Sequence, residues 1–223
     1  MSAVVSLDFA AVLVDWPLLL RGVGATVVLT AVSAVAGVAV GVVCGWARAW
    51  GPVGLARAVA VYVELVRNTP FIVQLFFIFF GLPAAGVKLT PELAAVLAMV
   101  INLGAYAAEI VRAGVEATPR GQLEAARSLA LTPAQIFTRV VLPPALRKVW
   151  PALTSQIVIV MLGSAVCGQI STPELSYAAN LIQSRNFRAF EAFLVATVLY
   201  LALAVAVRRL LNWLGPRLLF GGR

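Results

Sequence analysis

In this 223-residue chain the side chains able to hold or polarise a solute are few, and most sit inside long apolar runs. Asn102, Tyr106 and Glu109 recur at intervals of four and three, which places them on one face of a helix. Asn68, Thr69 and Gln74 lie on a second apolar run and Ser164 on a third. Together they offer amides, hydroxyls and one carboxylate. Glu109 could attract an ammonium group while the neutral donors and acceptors hold the rest of a polar solute. Burying an ionised group without partners costs on the order of several kcal/mol or more, so a path through an apolar layer needs such groups. The same residues also suit hydrogen bonding between helices, with Glu109 paired to Arg112, and both readings stand on the sequence. Glu116 with Arg112 reads as structural. Glu174, after Pro173 at a helix start, reads as a cap.

Bond-making chemistry is poorly supplied. The chain has no histidine, which removes His-dependent triads and most zinc sites, and no metal centre is expected. Cys44 and Cys167 lie far apart in apolar runs without a CxxC partner and read as small packing residues. A GxxxxGK[ST] phosphate loop is missing from the sequence, so the chain is not itself an ATPase. The net charge of +8 falls between apolar stretches instead of forming one patch with interleaved aromatics, which argues against nucleic acid. Hydrophobic residues make up 62% of the chain and charged ones 12%, whereas a soluble domain carries about 25% charged residues. Too few polar side chains remain to cover a water-facing surface, so the bilayer must be the solvent for most of the protein.

The elements that position these residues follow from that solvent. About 20 apolar residues cross a bilayer as a helix. Five such stretches occur: Gly22 to Ala47, Asn68 to Val87, Leu93 to Ala113, between Lys148 and Glu174, and between Glu191 and Arg208. The expected fold is an all-α membrane protein of five transmembrane helices. Residues 1–17 form an extracytoplasmic or interfacial segment, 18–213 the transmembrane domain and 214–223 a basic tail. Asp8 and Asp15, with no basic run before them, argue against a cleaved signal peptide and for a short interfacial helix. With the N-terminus outside, twelve basic residues, among them Arg48, Arg57, Arg112, Arg120, Arg139 and Arg208, fall on the cytoplasmic side. Only Arg21, Lys88, Arg185 and Arg188 fall outside, with Arg67 undecided. The C-terminus is then cytosolic.

Thr-Pro pairs punctuate the chain at Thr69, Thr90, Thr118, Thr132 and Thr172. A threonine cap followed by proline at the first helical position suits a helix start, predicting starts near Pro91, Pro119, Pro133 and Pro173. Pro70 instead enters or kinks the second span. Ser33, Gly37, Gly41 and Gly45, four apart, form a stripe that allows another helix close approach.

The segment from Ala117 to Pro144 is too polar to cross and too long for a simple turn. It reads as two short amphipathic helices joined near Ala130 to Thr132, the second ended by Pro143-Pro144. Leu123 and Ala126, with Leu129 and Ala130, give the first a modest apolar face; Ile136, Phe137, Val140 and Val141 give the second a stronger one. Such a pair could rest on lipid or present a ridge to a partner.

The run Glu124-Ala125-Ala126, preceded by Gly121-Gln122 and followed by Val140, Leu142 and Pro143, resembles the EAA loop (EAA-x3-G-x9-I-x-L-P) of ABC importer permeases. The stretches Tyr62 to Phe77, Gly104 to Leu129 and Asn180 to Leu203 are similar to the polar amino acid branch, the histidine, arginine and glutamine type. The resemblance implies that the two loop helices are coupling helices. Glu124, Ala125 and Ala126 would lie in a cleft of a cytoplasmic ATPase dimer, and Leu142 and Pro143 would turn the chain back to the membrane. It further implies a second permease subunit, identical or paralogous, and an extracytoplasmic substrate-binding protein docking near Leu82 to Pro91 and Thr172 to Arg188. A polar amino acid is the implied substrate, and the bacterial cytoplasmic (inner) membrane the implied location. No cofactor would be bound by this chain, ATP and Mg being used by the ATPase. Two departures stand out. Ala130 replaces the motif glycine, where a left-handed residue costs roughly 1 kcal/mol and predicts a differently shaped turn. Met161-Leu162-Gly163-Ser164 replaces a Lys-Asp pair common in span four. The residues by themselves leave room for an ion-coupled secondary transporter, which would bring inverted repeats and midplane carboxylates, or a non-transporting membrane scaffold.

Overall fold

The computed structural model describes residues 7–219. Its elements are all helical among the described residues: α1 (Ala10–Leu13), α2 (Trp16–Trp50), α3 (Val53–Arg67), α4 (Phe71–Ala84, with a π-helical stretch at Phe77–Gly81), α5 (Pro91–Glu116), α6 (Arg120–Ser128), α7 (Pro133–Ile170), α8 (Leu175–Asn186) and α9 (Ala189–Leu214). Helices α2, α5, α7 and the stretch Ala189–Arg217 that begins with α9 are each long and apolar enough to cross a membrane; α3 and α4, bent by 109° at the break between them, reach that standard only as a pair, as a broken span or a re-entrant loop. At 35 residues α2 is about 50 Å long, well beyond the ~30 Å hydrocarbon layer. Its last turns are therefore available to pack against something outside the bilayer core.

The second span differs from the expected one. A helix, α3, carrying Arg57, Glu64 and Arg67, precedes its expected start at Asn68, and the break falls at Asn68–Pro70. Pro70 disfavours helical geometry at Thr69 and has no N–H to donate. The two residues before it satisfy carbonyls of the last turn of α3: Asn68 Nδ2 donates to Glu64 O at 2.8 Å and Thr69 Oγ1 to Leu65 O at 2.9 Å. The fourth span also differs, because Pro143-Pro144 does not end the second loop helix. It runs on as part of α7, through a π-helical stretch at Ile136–Val141 into Leu142–Gly163, and closes in a 3₁₀ stretch at Ser164–Ile170. A wide π turn relieves the clash between a proline ring and the carbonyl of the preceding turn, and it tolerates the missing donor. The expected interfacial helix before Pro17 corresponds to α1. Residues 1–6 of that segment and 220–223 of the expected basic tail lie outside the described residues.

The chain falls into two compact units. The first comprises residues 7–32, Phe71–Ala98 and Met161–Ala206. Val12, Leu19, Leu175, Ala178, Ala179, Ile182, Ala192 and Ala196 form its buried apolar cluster. Gly22 lets α2 lie against the backbone of Leu175, since a Cβ there would stand 2.8 Å from Leu175 Cα. Glu174 is fully buried and caps α8, accepting from the N–H groups of Ser176 (2.9 Å) and Tyr177 (2.7 Å), while the Tyr200 hydroxyl donates to its Oε2. Thr172, expected as a cap, donates instead to Pro91 O at 3.2 Å.

The second unit comprises Ser33–Pro70, Met99–Val160 and residues 207–219. Here the stripe of small residues meets α5. A Cβ on Gly37 would stand 2.9 Å from Leu103 side-chain atoms, one on Gly41 would collide with Ala107, and one on Gly45 would stand 2.9 Å from Val111 Cγ1. The pairs step by four along both helices in the same direction, so α2 and α5 run parallel and in van der Waals contact. In hydrocarbon that contact is the stabilising term, because lipid tails are as apolar as the side chains they replace. Tyr62 of α3 donates to Ile101 O at 2.7 Å, and Trp150 Nε1 of α7 donates to Leu211 O of α9 at 3.1 Å.

Candidate functional site: a charged cavity and an outward-facing loop

Two features of the second unit carry the polar residues. The first is a cavity of about 290 Å³ lined by Arg48, Val63, Glu64, Arg67, Asn68, Tyr106 and Glu109. The ends of α2 and α3 and the middle of α5 supply them. Glu109 is its most contested group. Arg48 Nη1 donates to Oε1, Arg112 Nη2 to Oε2 at 2.9 Å, and Arg67 Nη1 stands 3.9 Å from Oε2. Arg112 also reaches Glu116 at 2.7 Å. The guanidinium carbon of Arg67 lies 5.3 Å from the centre of the Tyr106 ring, within cation–π range. Glu109 is only 19% exposed and its two oxygens are already claimed. It is therefore ion-paired within the chain, and an ammonium group would have to share its oxygens with the guanidiniums.

Of the path residues expected from sequence, Asn68, Tyr106 and Glu109 meet at this cavity. Asn102 is half-buried one turn before Tyr106 and does not line it. Thr69 is bonded to the last turn of α3. Gln74, half-buried on α4, and Ser164 belong to the first unit. Ser164 is fully buried, with its hydroxyl donating to Met161 O at 2.7 Å. The sequence reading missed Glu64, Arg48 and Arg67 as cavity residues. The spacing of Glu64 and Arg67, three apart on one helix, was the available signal.

The second feature is the loop. Its first helix, α6, buries Ala126 and half-buries Leu123; Ile136, Phe137 and Val141 of α7 are buried beside them against Val111 and Val115 of α5 and Ala49 and Trp50 of α2. Phe137 meets Trp46 and Trp50 edge-on, at 6.4 and 5.8 Å between ring centres. The apolar faces thus turn inward onto the chain's own helix ends. Gly121, Gln122, Glu124, Ala125 and Pro143 are exposed and Leu142 half-buried. Ala126, assigned by resemblance to a partner's cleft, faces the chain's own interior instead. Leu129, expected on the apolar face, is 74% exposed.

Between the helices the turn keeps the shape that glycine would give. Ala130 sits at φ +52°; its N–H bonds to Arg127 O at 2.9 Å and that of Leu131 to Ala126 O at 3.3 Å, the paired bonds of a Schellman cap. The expectation of a different turn fails because those two bonds, with Leu131 packed in the same cluster as Ala126, outweigh the strain on one alanine. A capping box then starts α7: Thr132 Oγ1 accepts from Gln135 N at 3.3 Å and Gln135 Oε1 from Thr132 N at 2.8 Å.

Fold and site together define a helical membrane subunit whose longest polar loop is packed rigidly on the ends of its spans. Comparison with known proteins gives the family. Residues 37–220 match the family described as binding-protein-dependent transport system inner membrane component. The glutamine transport system permease protein GlnP of Escherichia coli K12 is 33% identical over 213 residues, covering 95% of this chain and 97% of that protein. The L-cystine transport system permease protein TcyB of Bacillus subtilis is 37% identical over 171 residues, 77% of this chain and 73% of that one. Among solved structures, an amino acid ABC transporter crystallised with histidines superposes with a TM-score of 0.84 at 32% identity, covering 96% of this chain and 100% of its counterpart. The MetNI methionine ABC transporter, inward facing, gives 0.70 at 26% identity over 87% and 95%. The chain belongs to the family of binding-protein-dependent transport system inner membrane components.

Proposed function

We propose that the chain is the permease subunit of an ATP-driven ABC importer that carries a polar amino acid handed over by an extracytoplasmic binding protein. It lies in the bacterial cytoplasmic membrane with the N-terminus outside and the C-terminus in the cytosol, as the distribution of arginines favours. Residues 18–213 form the transmembrane domain. A second permease subunit, identical or paralogous, completes the path, and a cytoplasmic ATPase dimer uses ATP and Mg. This chain does no bond chemistry itself.

The observation that carries the reading is the loop. Its apolar residues are spent on the chain's own α2 and α5, leaving Glu124 and Ala125 exposed on a short helix closed by a Schellman cap. A small residue beside a carboxylate on a rigid ridge suits insertion into a protein cleft better than contact with lipid. Because α7 continues from the loop into a span without a break, a push on the loop moves that span. Closure of the ATPase dimer would thus favour one state of the path by differential contact. The test is Glu124→Lys. It should weaken co-purification of the ATPase and lower ATP-driven uptake in proteoliposomes while the thermal melt of the permease stays in place. Undiminished co-purification and uptake would contradict the coupling role.

A further inference from the structure

The cavity holds two opposite charges that the chain uses poorly. Glu64 and Arg67 lie three residues apart on one face of α3 and both line it. Among the described residues the Glu64 carboxylate has no ion-pair partner within 4.0 Å; Asn68 bonds its backbone carbonyl instead. Arg67 is the outermost of the three guanidiniums around Glu109, at 3.9 Å, with 43% of its side chain exposed. Arg48 and Arg112 already donate to both oxygens of Glu109. Arg67 lies over the Tyr106 ring, and a guanidinium resting on an aromatic face keeps its in-plane N–H groups for a carboxylate. A loosely paired positive charge and a negative charge without an ion-pair partner therefore face one space of about 290 Å³, which is ample for an amino acid.

We infer that Arg67 and Glu64 form a pair that reads a zwitterion: Arg67 takes the α-carboxylate of the passing amino acid and Glu64 its α-ammonium. This rests on the transport reading above and deepens it. The groups recognised are those every amino acid shares, so the cavity selects for the amino acid class and leaves the choice of side chain to the delivering protein. Glu109 acts differently. It is the counter-ion that holds Arg48 and Arg112, and it does not touch the solute.

The test is equilibrium dialysis of the purified permease–ATPase complex, without binding protein, against a mixture of ¹⁴C-labelled L-amino acids. Glu64→Gln keeps the shape and breaks no ion pair, so it separates recognition from folding. Arg67→Gln is the partner variant, with retention of the ATPase as its folding control. A hydrogen bond to a charged group is worth enough that each variant should raise half-saturation by about tenfold or more. The charge-exchanged double variant Glu64→Arg/Arg67→Glu should recover part of the loss, because a zwitterion can bind reversed. Binding within twofold of wild type in Glu64→Gln overturns the inference, and so does a wild-type complex that retains no label. ATP-driven uptake by the wild-type complex with its binding protein is the separate readout of the transport function. Uptake that persists in either case leaves that function standing while this site falls.

Discussion

Two carboxylates, one in each unit, show how differently the same group can be held. Glu174 is fully buried and its oxygens accept from two backbone N–H groups and one tyrosine hydroxyl, with no cation. Glu109 is partly exposed and held by arginine side chains, themselves 20 to 43% exposed. Backbone donors are fixed by the helix they cap. Arginines on flexible stems can exchange partners, and three of them around one carboxylate leave at least one available. The lesson is that Glu174 belongs to the scaffold and the Glu109 region to what the scaffold carries.

The largest effect expected from that contrast is at Glu174. Glu174→Ala would leave two part-buried N–H groups and a hydroxyl unpartnered, a loss of about 2–4 kcal/mol, read as a lowered melting temperature in detergent. Burial pushes the Glu174 pKa above its ordinary value, against the lowering by its hydrogen bonds. A carboxyl whose folded pKa is raised gives most stability below its unfolded pKa, and loses it as pH rises through the folded one. Glu174→Gln should therefore flatten the pH dependence of the melt above pH ~4.5; an unchanged slope would show that the group does not titrate differently on folding.

Next in size is the seam beneath the cavity. If only side chains move around Glu109, the α2–α5 contact must be rigid, and Gly41→Ala, which sets a methyl against Ala107, should cost about 1–3 kcal/mol. A neutral result would mean that the two helices can part. A double-mutant cycle on Arg48→Ala and Glu109→Ala should give a coupling of about 1–2 kcal/mol, and zero coupling would remove the pair as an anchor. The smallest change expected is a gain. Ala130→Gly should stabilise by about 1 kcal/mol without altering ATPase association, because the Schellman bonds are already in place. Loss of association would mean that the strained alanine itself sets the loop geometry.

How much of this could be read in the sequence varies residue by residue. Thr132 and Thr90 act as the caps their Thr-Pro context suggests, since a cap is decided within four residues. Thr118 does not cap: α6 starts at Arg120 with Pro119 before it and no side-chain cap bond. Thr172 is drawn to Pro91 O, 81 residues away, which no local rule contains. The glycine stripe was legible, because the spacing of four marks one face of a helix. Its partner residues were not. Asn68, Tyr106 and Glu109 share a cavity as polar residues in apolar spans should, and Arg112 pairs with Glu109 as their spacing suggests, yet Arg48 and Arg67 were counted only as markers of topology. Arg48 lies 61 residues from Glu109.

The sequence by itself determined that this chain lives in a bilayer, where most of its spans run, and that one loop carries two amphipathic helices, because hydropathy, periodicity and caps act over a few turns of chain. Only the tertiary structure decided which charges meet. Electrostatic pairing depends on distance in space, and a helix of 35 residues such as α2 brings together groups whose separation along the chain carries no trace of it. That is why Ala126 faces inward, why Glu109 is already neutralised, and why Glu64 and Arg67 remain open to a solute.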